Sequence, residues 1–131
     1  MRKTILALLI SMLAGILLAA CSPASDVEAP ANAVEEYLNT LVAKDADRLP
    51  TLVCGDWEED ALIELDSFQA VEARLEGASC EQTGTDGDIA LVDCTGSIIA
   101  TYNDEDQKLD LSVRTYQVVQ QGGDWLVCGT R

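Results

Sequence analysis

At 131 residues, with a formal net charge of −15 and no histidine, the chain excludes more functions than it suggests. Strong acidity removes nucleic-acid binding, which needs a basic face to displace counterions. The missing imidazole removes mixed Cys/His zinc sites, Ser-His-Asp triads and Cys-His dyads, and leaves acid–base chemistry to Asp, Glu, Tyr, Lys or Cys.

The first element is an export signal. Arg2 and Lys3 precede an uncharged apolar run from Thr4 to Leu18, and the small residues Ala19 and Ala20 lead into Cys21. This is the layout of a secretory signal peptide over residues 1–20, cleaved between Ala20 and Cys21. The segment "LAAC" resembles the bacterial lipobox, and the resemblance implies that Cys21 becomes the first mature residue and carries diacylglyceryl and N-acyl chains. Two or more such chains hold a protein stably on a membrane without spanning it. Ser22 follows in place of the Asp that signals inner-membrane retention. The expected localisation is therefore an envelope membrane, with the domain outside the cytoplasm. Loss of Arg2 and Lys3 leaves six cations against 23 acidic residues, a net charge of −17. That charge reads as a solubilising surface and opposes lying flat on anionic lipid.

Residues 21–30, including "SPASDVEAP", read as a flexible tether, and residues 31–131 as one domain. Three helices are expected next. In the first, Asn32 stands as N-cap with Glu35 completing a capping box, and Val34, Tyr37, Leu38, Leu41 and Val42 share a face. The second is a short helix over "DADRLPTLVCG", with Pro50 in its first turn. The third runs from Trp57 to Glu76 behind Asp56, buries Leu62, Leu65, Phe68, Val71 and Leu75, and is ended by Gly77.

Four strands are expected after that. They are "ASCEQTG", then "IALVDCTGSIIATY" with Ala90, Val92, Cys94, Gly96, Ile98, Ala100 and Tyr102 on one face, then "KLDLSVRTYQVVQ" with a bulge at its phase shift, then "DWLVCG". The expected fold class is α+β, about three N-terminal helices packed on a curved four-stranded antiparallel meander. That order, with "AVEEYLNTLVAKDADRL" and "GGDWLVCG", resembles the nuclear transport factor two-like (cystatin-like) cone, and in particular small disulfide-containing bacterial lipoproteins of that fold. The resemblance implies a fold rather than an activity.

With Cys21 given to lipid, four cysteines remain for two disulfides. A helix from Trp57 to Glu76 would separate Cys54 from Cys80 by about 30 Å, and strand spacing would hold Cys94 about 9.6 Å from Cys128. Cys80–Cys94 and Cys54–Cys128 are the pairs that survive.

The cone fold often encloses a pocket, and the resemblance makes Tyr37, Tyr102 and Tyr116 candidate proton donors beside Asp93 or Asp110 as base. The acidic loops at Asp86 and Asp88, and at Asn103, Asp104, Glu105 and Asp106, offer oxygens but lack EF-hand spacing, so no metal site is expected. Trp57 reads as packing, and Trp125 as a residue of the outer sheet face open to a dimer or another protein partner. The favoured function is a membrane-anchored binding module without a cofactor beyond its lipid. The runner-up is a small-ligand carrier or an isomerase-like or lyase-like pocket enzyme using carboxylates and tyrosine.

Overall fold

The computed structural model describes residues 28–131 and shows a mostly-sheet architecture. Two α-helices stand where three were expected, and five antiparallel strands where four were expected. The signal peptide, Ala20 and Cys21 lie outside the described residues.

Helix α1 spans Glu28–Ala43 and so begins inside the expected tether. Pro30 sits in its first turn, where a missing amide donor costs nothing, and Asn32 lies within the helix rather than capping it. Its buried stripe includes the expected Val34, Tyr37, Leu38 and Leu41. The expected second helix is reduced to a 3-10 turn at Leu49–Thr51. A second 3-10 turn at Gly55–Trp57 leads into α2, Glu58–Ser67, which buries Ala61 and Leu65.

The third helix was expected to continue to Glu76, but the chain turns after Ser67 and enters β1, Glu72–Asp86. Phe68, Val71 and Leu75 fit helical spacing. Val71, Ala73 and Leu75 equally fit alternation with Glu72, Arg74 and Glu76. Alternation prevails because β2, Ile89–Tyr102, pairs with β1 along its whole length, from Glu72↔Thr101 to Asp86↔Ile89. β1 carries one extra residue here, with Gly77 and Ala78 bulging opposite Gly96 alone. At Gly96 (φ +87°) an added Cβ would fall 2.7 Å from the Ala78 nitrogen, so only glycine permits this approach.

Asn103 and Asp104, both with positive φ, turn the chain into β3, Glu105–Asp110. The expected bulge in the next strand is a full interruption. A 3-10 turn at Leu111–Val113, capped by Asp110, divides β3 from β4, Thr115–Gln121. β3 lies beside the C-terminal half of β2 and β4 beside its N-terminal half. Strand β5, Asp124–Thr130, pairs with β4, giving the order β1-β2-β4-β5 with β3 against β2.

Helix α1 lies over the sheet, chiefly against β1 and also against β5, β2 and β4. Between them Val34, Leu38, Leu41, Leu65, Val92, Val118 and Val127 are essentially inaccessible to solvent. Burial on this scale stabilises by about 1.5–3 kcal/mol per large apolar side chain.

The cysteines bond as Cys54–Cys128 and Cys80–Cys94, with Cα–Cα distances of 4.9 and 4.1 Å. Cys80 and Cys94 face each other in the ladder, and the Cys80 amide donates to Glu35 Oε1 at 3.0 Å. Cys128 is the extra residue of a bulge, since Gln117 pairs with Gly129 and Val118 with Val127. That bulge turns Cys128 toward Cys54, which precedes the turn at Gly55. The long helix used to separate Cys54 from Cys80 does not exist, so helix length is not what keeps those two apart.

Candidate functional site

The polar side chains that the fold brings together under α2 are not those expected from the sequence. Tyr37 projects from the buried stripe of α1, Tyr116 from the buried side of β4, and Glu64 from α2 beside Leu65. Arg114 lies in the extended residue between the 3-10 turn and β4. The Tyr37 hydroxyl donates to Glu64 Oε2 at 2.6 Å, and Arg114 Nη1 donates to Glu64 Oε1 at 2.8 Å. One carboxylate thereby ties α1, α2 and the start of β4 together. The Tyr37 and Tyr116 rings meet edge to face, 6.2 Å apart and inclined by 65°.

Burial sets the protonation of both phenols. Tyr37 is pushed far above the usual phenol range, first by burial and then by the Glu64 charge, which also accepts its hydrogen bond. Tyr116 is pushed up to about 12 by burial, against a lowering contribution from Arg114. Burial lowers Arg114, but the Glu64 carboxylate together with the Tyr116 and Tyr37 phenols more than offsets this and leaves it raised. Among the described residues the buried Trp57 Nε1 and Tyr116 Oη have no hydrogen-bond partner.

Chemically this cluster is closed. Neutral, inaccessible phenols cannot take a proton from a substrate, and Glu64 already spends both oxygens on internal donors. Five surface hollows among the described residues lie elsewhere, and none of these is lined by Tyr37, Glu64 or Tyr116. Between α1 and the sheet the apolar core leaves one described hollow, open to the surface and lined by Glu35, Leu38 and Asn39 of α1 and Leu75, Gly77 and Ala78 of β1. Glu64 and Arg114 went unnoticed in the sequence. Their signals are slight: a carboxylate adjoining a buried Leu, and one of the chain's few cations at a strand phase shift.

The other expected donor–carboxylate pairs do not form. Asp93 accepts from the Thr115 hydroxyl at 2.6 Å, and Asp110 accepts from the Ser112 amide at 2.9 Å. Tyr102 stands 56% exposed at the end of β2. Of the acidic loops, Asp86 pairs with Arg131 at 3.2 Å and Asp106 with Arg74 at 2.9 Å. Among the described residues no group of metal-ligating side chains comes together, and no helix is long and apolar enough to cross a membrane. Trp125 was expected on the outer face, yet it is half-buried and packs against the core, as Trp57 does.

No protein-family model and no curated protein matches this chain.

Proposed function

We propose that this protein is a lipid-anchored module of the cell envelope that acts by binding a partner at its surface rather than by transforming or carrying a ligand inside. One observation supports the second half of that reading: among the described residues the one buried tyrosine–carboxylate pair, Tyr37 with Glu64, sits in the packed core and is consumed by Arg114. The first half rests on the leader, with its basic start, apolar run and "LAAC" ending at Cys21.

Each half has its own test. Cys21→Ser is expected to leave unprocessed, unlipidated precursor by mass spectrometry, and a normally trimmed soluble product contradicts the anchor. A fragment library screened by NMR against the full chain is expected to leave the Tyr37 and Tyr116 resonances unmoved. A fragment that shifts both would establish a pocket and favour the carrier or enzyme reading.

A further inference from the structure

The free borders of the sheet are not treated alike. The β1 border is broken by two register shifts, and the Cys80 amide is occupied by Glu35. The β5 border is closed by the preceding chain: the Cys54 amide donates to the Val127 carbonyl and the Val127 amide to the Leu52 carbonyl, both at 2.9 Å, with the Cys54–Cys128 bond alongside.

The β3 border has no such cover. All of its residues are exposed, and among the described residues its backbone pairs with β2 alone. It contains no proline, its register against β2 is unbroken, and one lysine is its only cation. Of the usual means of blunting an edge, bulges, prolines and cover are missing here, and charge alone remains, in Glu105, Asp106, Lys108 and Asp110. β3 lies in line with β4 along β2, and the β5 lane passes out of pairing at Arg131 opposite Thr115. The place beside β3 is thus the continuation of an existing strand lane.

We propose that the outer edge of β3 accepts an extended, basic segment of a partner protein, added antiparallel as a further strand. This rests on the reading that the chain acts through its surface. Main-chain hydrogen bonds to the edge supply affinity, and alternate side chains supply selectivity. Asp106 and Asp110 flank Lys108 on one face and are already engaged, by Arg74 and by Ser112, whereas Glu105 on the other face has no ion-pair partner among the described residues and calls for Lys or Arg on the facing strand. Leu109, 45% exposed on the same face as Glu105, calls for an apolar neighbour. The overall negative charge steers a cationic partner toward this edge and speeds its arrival. A second copy fits less well. The copy brings its own excess of acid to an edge that is already acidic.

The test uses the full chain and a synthetic peptide alternating Lys with Val, beside the same peptide N-methylated at two adjacent central amides. The methylated form keeps every charge but loses the donors on both edges. The unmodified peptide is expected to bind, to move β3 amide resonances, and to slow their exchange by about tenfold. Methylation is expected to weaken binding by about tenfold or more, and Glu105→Lys to weaken it while the remaining amide spectrum is unchanged. Equal binding of the two peptides would mean association by charge alone and overturn the proposal. Self-association through β3 without peptide would overturn it in favour of a second copy. Peptide-induced shifts at Tyr37 and Tyr116, with β3 silent, would instead overturn the surface reading on which it rests.

Discussion

β3 and β4 run end to end along the same neighbour, β2, yet they live in different environments. On β4, Tyr116 and Val118 are wholly buried under α1, and β5 pairs with the far edge. On β3 every residue is exposed and the far edge is open. Pairing with β2 is common to both, so hydrogen-bond register does not make one of them core. The helix above and the strand beside do, and they stop where the 3-10 turn at Leu111–Val113 divides the lane. The sequences already differ in kind. "TYQVVQ" supplies apolar groups at alternate positions, whereas "EDQKLD" supplies only Leu109. The closed half carries stability and the open half is free to carry recognition.

The largest effect that would sharpen this contrast is Tyr116→Ala, which should cost about 3–5 kcal/mol in urea denaturation. Replacing Cys54 and Cys128 together by Ala removes the longer of the two disulfide loops, 74 residues against 14, and should cost about 2–5 kcal/mol. Loss of Cys80–Cys94 should cost less, and the reverse order by calorimetry would show that the β5 border is not what closes the fold. Glu64→Gln removes the charge shared by Tyr37 and Arg114 and should cost about 1–3 kcal/mol, read in the same denaturation series.

Alkaline pH probes the same half. The folded state holds Tyr116 protonated up to about 12 and Tyr37 beyond that, while their ordinary value is 10.0. Above pH 10 the unfolded chain releases these protons and the folded chain does not, so stability falls as pH rises from 10 towards 12. Ultraviolet titration should show the two buried phenolates appearing only with unfolding. The smallest effect belongs to the open half: Leu109→Ala should stay within about 0.5 kcal/mol of wild type. A loss comparable to that at Tyr116 would mean that β3 is covered after all.

Much of the sheet was legible because its residues report only local alternation. β2 falls where "IALVDCTGSIIATY" places it, and Ala90 to Ala100 bury on the expected side. The failure came where one set of residues satisfies two periods. Val71 and Leu75 belong to a helical stripe and to a strand face alike, and only the long-range partner on β2 decides between them. "LSVR" was read as a bulge because a phase shift is visible in sequence, whereas the Asp110 cap that turns it into a 3-10 helix is a matter of side-chain geometry. The tyrosine cluster was half legible. Tyr37 and Tyr116 were noticed as chemistry-bearing residues, but Glu64 and Arg114 are 50 residues apart and meet only through the fold.

Amide hydrogen exchange on the full chain tests the division between the two halves most directly. The amides of Tyr116 and Val118 should exchange only through global unfolding, and the outward amides of Glu105–Asp110 through local opening, orders of magnitude sooner. Equal protection of β3 and β4 would contradict it, because something would then already occupy the edge on which the proposed recognition depends.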